Sequence, residues 1–407
     1  MSHPSPDALP NSQPHSLPKP QPPSLAQPLS ERILSLVQAA GAVGMTPEGL
    51  LAQLADASRS TLNRRLALLV SQGSLRVLGA GRATRYVAAS PLSRAQVDAY
   101  FSLHWQSRPV ARFDESLLGS EPGLSLEQAQ RLTSIQALVP RLDAQFLASF
   151  VVDLSWGSSV LEGSTYSMLD TEALLLYGQR HPDKPTADAV LALNHRQAAQ
   201  ALWADSSLTL DNVCQWHALL TSDHGLEEVA ESDHFLPEHQ RGRPREYEDV
   251  NLGGSAYLPP FRPGTGFIAK SLGRIIEQAN ALHPVQAAVY LMLRLPYLQA
   301  FANGNKRTSR LAANALLVSQ GYAPISFADM DKASYIRGMA AFYELGLVDV
   351  LAQVFVQGYI HSIVRSSVVP VAMRGAGFKV GPLVQALTHH VQTGQRPADA
   401  LARLFLR

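Results

Sequence analysis

Apolar residues recur at helical spacing along most of the chain. Ile33, Leu36, Val37 and Ala40 fall at i, i+3, i+4 and i+7, the stripe of one amphipathic helix, which Gly41 and Gly44 break. A second helix is predicted from Thr46 to near Ala55, with Pro47 at its first position and Glu48 and Leu50 following. A third starts at Ser58 or Ser60, carries Leu62, Leu66, Leu69 and Val70 on one face, and stops at Gly73. SLRVLGAGRATRYVA then places two short alternating runs around Gly79 and Gly81, the pattern of a β-hairpin. Three short helices and a hairpin predict a winged helix-turn-helix over residues 30–90. Its third helix is the one that would enter a major groove.

The rest of the chain predicts a mainly α fold. Residues 91–140 form a connector, with helical patterns at Arg94–Trp105 and Leu126–Leu138 and a loop between them. Residues 141–365 are helical almost throughout. The exception is 245–262, where DVNLGGSAYLPP predicts a short β-hairpin projecting from a helical body. Residues 366–407 predict one or two further helices. Residues 1–29 hold nine of the 27 prolines among Ser, Gln and Asn, which predicts a flexible, partly polyproline tail.

A length of 407 residues suits about two or three domains, and 46% apolar content excludes a wholly disordered chain. The net charge of +1 conceals segregation. Residues 57–90 contain Arg59, Arg64, Arg65, Arg76, Arg82 and Arg85 and no Asp, Glu or Lys, so they carry +6 against −5 elsewhere. Arg59, Ser60, Thr61, Arg64 and Arg65 would face base edges and phosphates, with Arg82 and Arg85 on the wing. DNA is therefore an expected partner and transcription regulation an expected role. A homodimer follows by analogy with modules that read paired half-sites. Used only for protein contacts, the same fold would leave these arginines solvated. Cys214 is the only cysteine, which excludes an intrachain disulfide and a cysteine-based zinc cluster and fits a reducing compartment. No run of 18 apolar residues is read, and MSHPSPDALP has no leader pattern. The expectation is a cytoplasmic protein without a membrane partner.

The chemistry concentrates in residues 283–321. Gln286–Leu298 is apolar nearly all round, which predicts a buried central helix. It runs into Phe301-Ala302-Asn303-Gly304-Asn305-Lys306-Arg307, and a new helix is predicted to about Gln320, with Asn303 as its cap. A glycine loop feeding a helix N-terminus presents free N–H groups and a positive dipole end to an anion. Lys306, Arg307 and Arg310 add three charges, and Arg307, Arg310 and Asn314 share one predicted polar face. Phosphate is the natural ligand. A solvated basic helix start would read the same way.

QAFANGNKRTSR resembles the signature of the Fic (Fido) family, H-x-F-x-[DE]-G-N-[GK]-R-x-x-R, through Phe301, Gly304, Asn305, Lys306, Arg307 and Arg310. His283-Pro284 is similar to the family as well. SSVLEG, with Ser158, Glu162 and Gly163, resembles the inhibitory motif [ST]-x-x-x-E-[GN]. RGRPREYEDVNLGGSAYLPP resembles the target-positioning flap and would place Gly253, Gly254 and Tyr257 there. The resemblance covers roughly residues 140–365. It implies a helical domain that binds ATP with Mg²⁺ and transfers AMP to a hydroxyl of a target protein. In the family the histidine is the general base, the Gly-Asn loop cradles phosphates and the acidic residue binds metal. Carried over, Arg310 would hold the γ-phosphate and Glu162 would block it by pairing with Arg310.

Two departures fall on that chemistry. Gln299 stands at the histidine position, and a glutamine amide accepts no proton near neutral pH. Losing a general base costs about 10²–10⁴-fold in rate. Asn303 stands at the acidic position and brings no charge to a hard cation. His283 lies sixteen residues before Gln299, about 24 Å along one helix. His217, His224, His234 and His239 are expected in loops, with Asp223 and Asp233 nearby but no metal-ligand spacing. Three functions stay open: a nucleotide-binding regulator, a self-inhibited adenylyltransferase, and an adaptor.

Overall fold

In the computed structural model the chain divides into two units, residues 1–102 and 103–407. The structure describes residues 28–72, 74–79, 81, 84–89, 92–119, 121–229, 231–369 and 379–406. The expected proline-rich tail lies outside the described residues except for Pro28 and Leu29, as does Arg82.

The first unit is built from α1 (Leu29–Ala39), α2 (Pro47–Gln53), α3 (Arg59–Ser71), β1 (Leu75–Leu78), β2 (Arg85–Ala88) and α4 (Arg94–Ser102). Thr46 caps α2 by accepting from Gly49 N at 3.0 Å, and Pro47 occupies the first position, where no N–H is needed. Ser58 caps α3 through Thr61 N at 3.1 Å. β1 and β2 pair antiparallel, Leu75 opposite Ala88 and Leu78 opposite Arg85. Ile33, Val37, Leu50, Leu54, Leu62, Leu66 and Leu75 form one core. The Arg32 guanidinium grips Asp56 with two 2.7 Å bonds, tying α1 to the turn before α3. Residues 94–102 of the expected connector belong to this unit. Val97 and Tyr100 are buried, and Gln96 Nε2 donates to Gln38 O.

The second unit is mainly helical. Its elements are β3 (Ala111–Arg112), α5 (Leu126–Ser134), α6 (Ala144–Glu162), α7 (Met168–Tyr177), α8 (Thr186–Ala204), α9 (Leu210–Leu220), β4 (Tyr257–Leu258), α10 (Phe267–Asn280), α11 (Pro284–Leu298), α12 (Asn305–Ala312), α13 (Ala315–Ser319), α14 (Lys332–Leu345), α15 (Asp349–Ser366), α16 (Val380–Thr393) and α17 (Ala400–Leu404). α11 runs through the middle, and Val285 and the residues Ala287–Leu298 are all buried. Even Arg294 is buried there, its guanidinium 4.6 Å from the rings of Tyr290 and Phe342. The expected C-terminal extension joins the same core through Leu383, Leu387, Val391 and Phe405.

Three sequence expectations change. The segment 245–262 is not a hairpin. Its strand β4 pairs in parallel with β3, Ala111 opposite Tyr257, and Pro259 and Pro260 follow without the N–H groups a return strand needs. The helix expected to run to Gln320 breaks after Ala312 and resumes at Ala315. At the break, Asn314 accepts from Ile325 N at 2.7 Å and donates to Ile325 O. α6 is long and apolar enough to cross a membrane by length and composition, although no such run is read in the sequence. Half of that window is buried within the fold, where Phe150, Leu154 and Leu161 enter the core.

Candidate functional site

The anion loop hangs between the end of α11 and the start of α12, and buried polar groups hold it from below. Gln299 closes α11 in the left-handed region at φ 49°. A non-glycine residue persists there only when its surroundings over-determine it. Here Gln299 Nε2 donates to Pro296 O at 2.6 Å, and Gln299 Oε1 accepts from Asn305 Nδ2 at 3.0 Å. Arg245 Nε donates to the Gln299 carbonyl at 2.5 Å. Arg245 also reaches Glu248 O and Pro260 O, so one buried guanidinium links the loop to the segments on both sides of β4.

His217 lies directly beneath the loop. Its ring stacks on Phe301 at 3.8 Å and 10°, accepts from Gly242 N at Nδ1 (2.9 Å) and donates from Nε2 to Asn303 O (3.0 Å). Burial pushes its imidazole down to about 3, so it is neutral and this donor–acceptor pattern is fixed. His217 is therefore a packed residue of α9, not the loop histidine expected. Gly304 sits at φ 74°, and a Cβ there would fall 2.6 Å from Thr221 Cγ2, so only glycine lets the loop lie this close. Gly304, not Asn303, is the residue that caps α12. Asn303 Oδ1 accepts from Gly304 N at 2.5 Å, and its amide donates to Asp233 O.

Arg307 and Arg310 point inward rather than along a solvated face. Arg307 is 1% exposed, with Nη1 on Leu220 O (2.7 Å) and Nη2 on His234 O (2.6 Å). Its Nε has no hydrogen-bond partner among the described residues. Burial pulls the Arg307 guanidinium down to about 10, which leaves it charged at neutral pH. Arg310 is fully buried and meets the C-terminal turn of α6. Its Nη2 lies 2.7 Å from Glu162 Oε1, its Nε donates to Ser158 Oγ at 2.9 Å, and its Nη1 donates to Tyr335 Oη at 3.2 Å. Burial alone would raise the Glu162 carboxyl, but the charges of Arg310, Lys306 and Arg307 hold it well below the usual carboxylate range. Gly163 ends α6 at φ 105° and turns the chain away just past Glu162. The structure thus brings Ser158, Glu162, Arg307, Arg310 and the 303–306 loop into one place.

The remaining candidates fall elsewhere. Gly253 and Gly254 form an exposed turn, but Tyr257, expected on the docking face, is 1% exposed. It stacks on Tyr297 and donates to Tyr297 O at 2.6 Å, because its place on β4 faces the core. In the first unit Arg59, Ser60, Arg64 and Arg65 are exposed and Thr61 is half-buried. Arg59 pairs with Glu48 at 2.6 Å, and Arg85 reaches Gly44 O at 3.4 Å. A divalent cation does not fit at position 303. The Asn303 amide oxygen is engaged by Gly304 N and its nitrogen by Asp233 O, and among the described residues no group of three His, Cys, Asp or Glu could hold a metal. Sequence reasoning missed His195, Tyr335 and Arg245. For His195 the one signal was a polar run, Asn194-His195-Arg196-Gln197, interrupting the apolar stretch of α8.

Comparison with known proteins bears on this site. Part of the chain is 37% identical over 91 residues to a protein adenylyltransferase Fic of Drosophila mojavensis, covering 21% of this chain and 17% of that one. A protein adenylyltransferase Fic of Nematostella vectensis is 23% identical over 186 residues, covering 44% and 40%. The chain thus spans less than half the length of these curated relatives. Among solved structures, Fic-1 (residues 134–508) of C. elegans aligns with a TM-score of 0.45 and 14% identity, over 85% of this chain and 94% of that one. A Fic domain-containing signaling protein of Bacteroides thetaiotaomicron aligns with a TM-score of 0.45 and 16% identity, over 66% and 98%. Residues 207–317, which carry His217, the anion loop and both buried arginines, match the Fic/DOC family, and the chain contains a domain of that family.

Proposed function

We propose that the second unit binds the phosphates of a nucleotide, ATP in the first instance, at the 303–306 loop and on Arg310, and transfers AMP weakly or not at all. The observation that carries this reading is the Gln299 amide, bonded at both ends to Pro296 O and Asn305 Nδ2. In AMP transfer a hydroxyl oxygen bonds to the α-phosphorus, pyrophosphate leaves, and the hydroxyl proton passes to a base. Gln299 has no basic atom to take that proton. The loop and the arginines, by contrast, keep the parts that hold anions.

The chain is then a nucleotide-binding regulator. Its first unit, with three helices ahead of a hairpin and the third of them arginine-rich, acts as a winged helix-turn-helix on DNA. A protein target would dock at the exposed Gly253–Gly254 turn. A second reading, an adenylyltransferase that holds itself off, is favoured by one observation, the Arg310–Glu162 ion pair at 2.7 Å. Incubation with α-labelled ATP and Mg²⁺ separates the two. Label transferred by the Glu162→Gly chain, and absent in Glu162→Gly/Arg310→Ala, would sink the non-transferring reading. ATP binding by calorimetry without label transfer supports it, and no binding of any nucleotide leaves an adaptor.

A further inference from the structure

His195 lies 37 residues from Ser158 in sequence, yet its Nε2 is 2.7 Å from Ser158 Oγ. Both are buried, at 1% exposure each. His195 Nδ1 is 2.8 Å from Leu191 O, one turn back on α8, and 3.4 Å from Ser159 Oγ. On the other side of Ser158 Oγ stands Arg310 Nε at 2.9 Å.

These four groups admit one assignment of protons. An arginine only donates, so Ser158 Oγ accepts from Arg310. The Leu191 carbonyl also only accepts, so the proton of the neutral imidazole sits on Nδ1 and goes to it. Nε2 is then an acceptor, and the single serine proton is directed at it. Burial pushes the His195 imidazole down to about 3, in keeping with this neutral form.

We propose that His195 is a positioning residue: through Ser158 it sets the direction of the Arg310 guanidinium, so that the arginine is aimed at an anion whether or not Glu162 is present. The inference rests on the reading that Arg310 meets nucleotide phosphate. A guanidinium has five N–H donors. Nε is held by Ser158 Oγ, Nη2 by Ser158 O at 3.2 Å and Nη1 by Tyr335 Oη. Glu162 takes a further Nη2 proton. Removing Glu162 frees that donor while the other three contacts keep the fork in place. Without His195 the Ser158 hydroxyl loses its acceptor and turns. Its lone pair is no longer held toward Arg310 Nε, and the guanidinium keeps only its Nη contacts to Ser158 O, Tyr335 and Glu162. An arginine oriented in advance binds with less entropy to lose.

Two variants and two readouts test this. Gln at 195 can place its amide oxygen near the position of Nε2, whereas Leu fills the space with no acceptor. The first readout is the Arg310 Nε–Hε resonance in ¹⁵N spectra of the full chain, assigned with Arg310→Lys. His195→Leu should shift it and speed its exchange with water at least tenfold, and His195→Gln should restore it. An unchanged resonance in His195→Leu overturns the proposal. The second readout is the ATP affinity of the Glu162→Gly chain. Adding His195→Leu should weaken binding about tenfold, the worth of one charge-assisted hydrogen bond, and adding His195→Gln should weaken it much less. Equal affinities in all three also overturn it. If Glu162→Gly binds no ATP while the resonance responds as expected, the nucleotide reading fails and the orienting contact stands.

Discussion

Asn305 Nδ2 donates to Gln299 Oε1 at 3.0 Å, so the residue standing where a base would act is bonded to the loop that would cradle phosphate. The same Asn305 also closes the turn, accepting from Phe301 N and donating to Phe301 O. The glutamine is thus part of the loop's scaffold and not a side chain aimed at a substrate. Replacing it by histidine, with Asn303→Asp, should supply a base and a carboxylate, at the cost of the Gln299 amide's bonds to Pro296 O and Asn305 and of the Asn303 bond to Asp233 O. In a Glu162→Gly background this pair should raise label transfer from ATP by about 10²–10⁴-fold over Glu162→Gly alone. Transfer that stays at background while ATP still binds would mean that position 299 is not what limits the chemistry.

Glu162 neutralises a fully buried cation, and its own side chain is 12% exposed. Glu162→Gln leaves Arg310 charged and unpaired, which should cost about 3–5 kcal/mol of unfolding free energy. ATP should return part of that loss, so the thermal shift on adding ATP should be larger for the variant than for the parent. The acid limb follows from the depressed carboxyl. The contribution of Glu162 is complete above its ordinary value of 4.5 and is lost as pH falls toward the lower folded value. The variant should show no such limb, and equal ATP shifts in both chains would contradict the pairing.

How far the sequence carries this site depends on the kind of contact. Local patterns sufficed for the central helix Gln286–Leu298, for Pro47 opening its helix and for the loop around Gly304, because each is written within a few residues. A motif match was enough to join Glu162 to Arg310 across 148 positions. What no spacing reveals is packing between distant segments. His217 reads as a loop residue until Phe301 is seen stacked on it, and Tyr257 reads as a docking residue until β4 pairs with β3. Of the expected polar face, Arg307 and Arg310 lie on α12, whereas Asn314 falls at the break before α13. The burial of the two arginines came from α6 and α9, which lie far away in the chain.

Gly157 fixes the depth at which α6 lies, and so the reach of Ser158 and Glu162. A Cβ there would fall 2.6 Å from Ala328 N and 2.7 Å from Phe327 C, and neither backbone atom can swing aside. Gly157→Ala should push α6 outward and lengthen the Arg310 contacts. Helix propensity alone favours alanine by about 1 kcal/mol. A net destabilisation would show that the close approach dominates. A stabilised chain would show that it does not.

His195 and His217 are both buried neutral, at about 3 against an ordinary 6.5. Between those values the unfolded chain holds more protons at these positions than the folded one, so stability rises with pH across the window. Well below pH 6.5 the slope is about 1.4 kcal/mol per pH unit for each histidine. Urea midpoints at pH 7.5, 6.5 and 5.5 should fall in that order. His195→Gln should remove about one proton's share of the slope. A slope identical to the parent's would mean that His195 already titrates normally in the folded chain.

Arg64 and Arg65 are exposed on α3 and have no ion-pair partner among the described residues, whereas Arg59 is already paired with Glu48. If α3 meets DNA, the three arginines contribute unequally. Each free arginine that neutralises a phosphate adds about 0.9 to the slope of log affinity against log salt. Arg64→Ala and Arg65→Ala should each lower the slope by about that amount, and Arg59→Ala should lower it less, because its charge is offset before DNA arrives. Glu48→Ala should then steepen the slope by freeing Arg59. Binding isotherms on duplex DNA between roughly 50 and 200 mM salt measure all four. A flat response across that range, or equal losses at all three arginines, would count against α3 as the contacting helix.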